Sequence, residues 1–200
     1  MRALAKACKR AGFVKVSGDL LEALLYLRDR VVLDEPRRVT TAKRMCYHLY
    51  TDASLEGGVS GLGGILFNAS QLVINWFAEA VGAGLLETIN PDGKEGFIYE
   101  MEVCAAVQGV CRLCASLRSA DIVLFCDNEA ALAALIACKS DSPFVTTQLS
   151  QLCNLEAALD LNIWFECVPS ASNPADEPSR MKLDALAASS RVRWSPEVLA

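Results

Sequence analysis

The stretch from Tyr47 to Phe67, YHLYTDASLEGGVSGLGGILF, constrains the fold more than any other part of this chain. It reads as a strand ending on a carboxylate, a glycine-rich turn, and a second strand. Side chains alternate in direction along a strand, so Cys46, His48, Tyr50 and Asp52 share one face while Tyr47, Leu49 and Thr51 share the other. Asp52 then stands where the strand stops. Gly57, Gly58, Gly61 and Gly63, with Gly64 behind them, permit a tight reversal and let another backbone or a ligand come close. A single strand-end aspartate is most simply a turn cap, so its weight depends on other acids reaching the same place.

The pattern on either side supplies the elements that could bring them. Before the stretch, Leu20 to Val32 carries a helical apolar stripe that Glu35-Pro36 ends, and Arg37, Arg38, Lys43 and Arg44 form a basic connector. After it, Ile65 to Asn68 and Gln71 to Glu79 complete an antiparallel meander of three strands. Residues 80 to 97, with four glycines and a proline, read as an irregular excursion. Ile98 to Arg118 is the longest helical pattern, and Ile122 to Cys126 is a short buried strand that ends at Asp127. Asn128 caps a helix over Glu129 to Cys138, broken by Ser140 to Pro143. A second helix covers Thr146 to Leu159, and Asn162 to Val168 is the fifth strand. Asn173-Pro174 opens a last helix with Asp176 in its first turn. Trp76, Trp164 and Phe165 are assigned to the core. These elements predict an α/β fold in three layers, a mixed five-stranded sheet with helices on both faces. The division is a basic helical lead-in or tether over 1–40, a domain over 41–182, and a C-terminal tail over 183–200.

With 52% apolar and 22% charged residues, the 200-residue chain suits an ordinary soluble core. No apolar run is long enough to span a bilayer, and the start, MRALAKACKRAGFVKV, lacks the apolar block of a signal peptide. The expectation is an intracellular protein, cytoplasmic or nuclear, with no membrane partner. Nine cysteines, mostly within apolar runs, argue for buried thiols over a disulfide framework. Cys111 and Cys114 have zinc-ligand spacing, yet no second pair follows and the chain has one histidine, which argues against structural zinc. The net charge of −5 hides an asymmetry: residues 1–45 hold 11 basic residues against 5 acids, and the rest hold 8 against 19. A polyanion would meet the basic arm, and a divalent cation would offset the acids of the body.

Asp52 ends the first strand and Asp127 the fourth; in open sheets, ligand-binding groups gather at such ends. If those strands are neighbours, two like charges sit side by side, which is costly unless a proton or a cation intervenes. The long helix offers Glu100 and Glu102. Glu102 shares its face with the small residues Ala105, Ala106 and Gly109, which would let that face lie close to the sheet. Glu100 also shares an apolar face, so periodicity favours Glu102 only modestly. Asp176 can reach the same point from the other side.

YTDAS followed by glycines, EMEVCAAV, LFCDNEAAL and VPSASNPADEPSR stand in the order and spacing of the ribonuclease H domain of retroelement reverse transcriptases, which residues 46–181 resemble. EPRRV before the first strand is similar to the tether from the polymerase. The resemblance implies an endonuclease that cuts the RNA strand of RNA/DNA hybrids. Asp52, Glu102, Asp127 and Asp176 would be both its catalytic and its metal-binding residues, holding two Mg²⁺ ions, with Mn²⁺ able to substitute. It further implies that Ser54 and Asn128 meet the hybrid backbone and 2′-hydroxyls, and that the partner domain is a reverse transcriptase polymerase. Arg180 is read as a phosphate contact, with a surface role or a salt bridge to Glu177 as equal alternatives.

There are departures. Many relatives have a histidine in the loop before the last aspartate, where this chain has Ala171-Ser172-Asn173, and its one histidine, His48, reads as structural in the first strand. A basic protrusion between Cys138 and Phe144 is absent, as is a Y-x-D-D polymerase motif. Two alternatives follow. One is an inactive domain of the same fold acting as a nucleic-acid-binding or scaffolding module. The other is a sugar-kinase or actin-like ATPase fold, which would need a second aspartate-glycine phosphate loop that Asp127-Asn128-Glu129 does not supply.

Overall fold

The computed structural model describes residues 15–33, 43–56, 59–91, 93, 96–184 and 186–192. The chain divides into two units, Met1–Ala42 and Lys43–Ala200. In the first, helix α1 (Asp19–Leu33) starts after Gly18, whose φ of +55° suits glycine and whose carbonyl accepts the Glu22 N–H at 3.1 Å. Leu21, Leu24, Leu25 and Tyr26 of α1 are exposed. The Glu35-Pro36 stop, Arg37 and Arg38, the EPRRV tether, Gly57 and Gly58 lie outside the described residues, as do residues 193–200 of the tail.

The second unit is built on five strands: β1 (Met45–Glu56), β2 (Val59–Asn68), β3 (Val73–Ala80), β4 (Ala120–Cys126) and β5 (Asn162–Cys167). They lie in the order β3-β2-β1-β4-β5. The first three form the antiparallel meander, and β4 runs parallel to both β1 and β5. Strands one and four are therefore neighbours, with Tyr50 opposite Phe125 at the end of their register. Helices α2 (Ala83–Ile89), α3 (Ile98–Leu113), α4 (Glu129–Ala137) and α5 (Pro143–Leu159) intervene, and a single turn, α6 (Asp176–Ser179), follows β5.

The helix α3 is the centre of the core. Met101, Val103, Cys104, Ala105, Ala106, Val107 and Val110 are all fully buried. The small residues do what their position predicts: a methyl added at Gly109 would lie 2.8 Å from Thr51 Cγ2, so α3 packs here directly on the Thr51 and Leu49 side chains of β1. Leu49 and Thr51 point to this helix; His48 and Tyr50 point away, where both pack against Phe125. Across the other face of β1, β2 and β3 lies α6, and Ile65, Trp76 and Ala78 form a smaller cluster there with Met181, Leu183 and Leu186.

Several expectations need correction. Gly61, Gly63 and Gly64 are not part of the reversal; they lie inside β2, where glycine lets α6 and Phe77 approach. Residues 80–97 contain α2, a short helix that Gly84 within it and Gly82 and Pro91 on either side conceal in the sequence. The break at Ser140 to Pro143 is also a start, since Ser142 Oγ accepts the Val145 N–H and Pro143 is the first residue of α5. Trp164 is 68% exposed, not core, because β5 is an edge strand whose alternation turns it outward while Ile163 and Phe165 pack inward. Not every thiol is buried, since Cys138 and Cys167 are exposed. Two described residues of the 183–200 segment bond to β3: Trp76 Nε1 donates to the Ala187 carbonyl at 2.9 Å, and Val192 N–H donates to the Trp76 carbonyl at 2.8 Å. Arg44, read as part of a basic connector, forms ion pairs with Asp121 at 3.0 Å and Asp160 at 3.3 Å. Among the described residues, no helix is long and apolar enough to cross a membrane.

Candidate active site

Asp127 follows the last residue of β4, and Asp52 lies two residues beyond the end of the β1–β4 register, so adjacent parallel strands carry both acids to one end of the sheet. Glu102 reaches that end from α3. Ligand atoms of Glu102, Cys126 and Asp127 all lie within 4.8 Å of one another. Glu102 is 3% exposed and Asp52 is 4% exposed, whereas Glu100, its competitor on the helix, is half-buried. The ambiguity between the two glutamates is a matter of rotation about α3, and the buried one faces the strand ends.

Burial governs the electrostatics. It pushes the Glu102 carboxyl up to about 9, helped by the charges of Asp52 and Asp127 and opposed by the Ala53 N–H, which donates to Glu102 Oε1 at 3.3 Å. Asp52 is raised to about 6, again mainly by burial; Asp127 and Asp176 add to the rise and the Ser179 hydroxyl opposes it. Each acid thus feels others of the set. Asp176, first residue of α6, is half-buried and accepts a hydrogen bond at 2.8 Å from Arg180 Nε.

Three residues not assigned to the site from sequence hold these acids in place. The Ser179 hydroxyl donates to Asp52 Oδ2, and Asn173 Nδ2 contacts Asp52 Oδ1 at 3.5 Å while donating to the Thr51 carbonyl at 3.0 Å. Cys126 Sγ lies 3.9 Å from Glu102 Oε2, and burial pushes its thiol up to about 12, so it is a neutral donor. Asn173 and Ser179 stand in a quoted motif, but their partners lie more than 120 residues away, which no local pattern reports.

The expected substrate contacts fare differently. Ser54 is buried, and its hydroxyl donates to the Ser179 carbonyl of α6 at 2.8 Å. Asn128 Oδ1 caps α4 through the Ala131 N–H at 3.0 Å. Arg180 pairs with Glu56 and Asp176, and these acids hold its guanidinium above its ordinary range. His48 lies in β1 with Nδ1 2.7 Å from Gln71 Nε2.

The donor set suits small, hard divalent cations: carboxylate oxygens dominate, and the thiol among them keeps its proton. Buried acids whose ionisation is opposed by burial and by one another are what an added cation would relieve.

The sheet order, the parallel β1–β4 pair and the helix laid over it define the ribonuclease H-like fold. Solved structures agree. The N-terminal ribonuclease H domain of rv2228c from Mycobacterium tuberculosis superposes with a TM-score of 0.51 at 17% identity, over 70% of this chain and 95% of that one. LC11-RNase H1, solved in complex with an RNA/DNA hybrid, gives 0.51 at 16% identity, over 69% and 96%. At these identities the likeness establishes the fold alone. No protein-family model matches the sequence, and no curated protein does.

Proposed function

We propose that the chain is an endonuclease that hydrolyses the RNA strand of RNA/DNA hybrids, as the ribonuclease H domain of a retroelement reverse transcriptase. The observation that carries this reading is the convergence of Asp52, Glu102, Asp127 and Asp176 at the ends of β1 and β4 on this fold. The neighbouring fold solved with a hybrid supports the choice of substrate, and the four motifs in register support the retroelement parent and its polymerase partner.

The four acids would hold two Mg²⁺ ions, or Mn²⁺ in their place, which when bound supply an activated water and stabilise the leaving 3′-oxygen of an in-line displacement. The chain's own groups prepare the site. Ala53 N–H and the Cys126 thiol orient Glu102, Ser179 and Asn173 orient Asp52, and Arg180 sets Asp176. Asn128 caps α4 through its oxygen, so Nδ2 is the atom we assign to the hybrid backbone. A phosphate contact by Arg180 requires exchange of Glu56 or Asp176.

The test is cleavage of a labelled RNA/DNA hybrid in Mg²⁺. Wild-type protein is expected to cut the RNA strand, EDTA to stop it, and Asp127→Asn to lower the rate at least about 100-fold, since loss of even an outer-shell partner of a metal ligand costs about 10–100-fold. Equal activity in Asp127→Asn refutes the assignment, and a purified wild-type chain that binds hybrid without turnover favours the binding module instead.

A further inference from the structure

Outside the acidic site, two sulfurs meet at the other end of α4. Cys138 terminates that helix in a left-handed conformation, φ 47° and ψ 43°, which turns the chain back toward α5. Its Sγ lies 3.4 Å from Sγ of Cys153, which is on α5. Cys138 is exposed and Cys153 half-buried, so a reagent in solution meets Cys138 first. A disulfide bond is about 2.05 Å long, so the sulfurs need to approach by only about 1.4 Å.

We propose that Cys138 and Cys153 form a reversible modification site, an intrachain disulfide made by exchange with a small-molecule disulfide such as glutathione disulfide. The Cys138 thiol loses its proton to solvent, and the thiolate attacks one sulfur of glutathione disulfide. A protein–glutathione bond forms, the glutathione S–S bond breaks, and one glutathione thiolate leaves and is protonated. Cys153, as thiolate, then attacks Cys138 Sγ and expels the second glutathione. The two protein thiols are oxidised together by two electrons, and one glutathione disulfide is reduced to two glutathiones. The bond fastens the end of α4 to α5 across 15 positions of chain. It encloses Ser140, whose hydroxyl accepts the Tyr99 hydroxyl of α3 at 2.8 Å. Cys126 and Cys167 also stand opposite each other in the β4–β5 register, but Cys126 is fully buried and offers no sulfur to an incoming disulfide.

The full chain, reduced and freed of reductant, is incubated with glutathione disulfide, alkylated, digested without reductant and mapped by tandem mass spectrometry. The wild-type protein is expected to yield a peptide linked through Cys138 and Cys153, lighter by two hydrogen atoms than the two reduced peptides, and to retain no glutathione on either of these residues. Cys153→Ser should retain one glutathione on Cys138. Cys138→Ser should form no bridge and react at Cys153 at least about tenfold more slowly, in line with its burial. Oxidation of the wild type should raise Tm by about 5 °C, with reversal by reductant and no rise in Cys138→Ser. Glutathione left on Cys138 of the wild type, a bridge between Cys126 and Cys167, or no oxidation each overturns the proposal. The readouts are mass and melting, so the outcome is independent of nuclease activity.

Discussion

Glu102 is the residue at which the physics of the site is most exposed. Its carboxyl is held near 9 and that of Asp52 near 6, both above the range they have in an unfolded chain. A raised carboxyl favours the folded state while it is neutral. That stability is complete below the ordinary carboxylate range, and it is lost as pH rises through about 6 for Asp52 and about 9 for Glu102. Metal-free protein should therefore show a Tm that falls from pH 5 to pH 9. Glu102→Gln keeps the neutral shape and cannot ionise, so in EDTA its melting curve should flatten above pH 7 and lie at or above wild type at pH 9, while hybrid cleavage drops at least about 100-fold. A Glu102→Gln protein that melts lower than wild type throughout this range contradicts the electrostatic account. Ser179 acts one step further out. Ser179→Ala removes the donor to Asp52 Oδ2 and should lower kcat roughly 10–100-fold with KM nearly unchanged, which steady-state kinetics on hybrid will read. An increase confined to KM would instead place Ser179 in substrate binding.

Among the elements, α6 has the most influence for its size. One helical turn spans β1, β2 and β3 and brings Asp176 and Ser179 to Asp52. It can lie there only because β2 presents glycine beneath it. A methyl at Gly63 would stand 2.4 Å from Ser179 N and 2.8 Å from the Ala175 carbonyl, both backbone atoms that cannot step aside. Gly63→Ala should destabilise by about 1–3 kcal/mol or more in urea melts, and should depress cleavage beyond what stability explains because Ser179 moves with α6. Unchanged stability would mean that α6 does not rest on β2 as closely as described. The sequence made the glycines legible but not their partner: a GxGG run reads as a turn until something is known to lie across it. Strand β1, strand β4 and helix α3 were readable because period and small-residue placement are local signals. Helix α2, framed by Gly82 and Pro91, and the outward turn of Trp164 on edge strand β5 depend on sheet position, which local pattern does not carry.

At the scale of the whole molecule, the fold converts distance along the chain into proximity. Asp52 and Asp176 lie 124 positions apart, yet each contributes to one electrostatic cluster because β1 and β4 are parallel neighbours and α6 folds back over β2. The acids were legible as motifs in register, and what could not be read was the set of groups that hold them, since Asn173 and Ser179 act on Asp52 from more than 120 positions away and Cys126 reaches Glu102 from β4 to α3. The excess of acid in residues 46–200 is partly this cluster, and a divalent cation is the counter-charge that would relieve it. The central claim is that the four carboxylates form one cation site. Its most direct measurement is anomalous diffraction from crystals soaked in Mn²⁺. The account predicts peaks bounded by Asp52, Glu102, Asp127 and Asp176 that vanish in Asp127→Asn; manganese bound elsewhere, with these side chains left unligated, contradicts it.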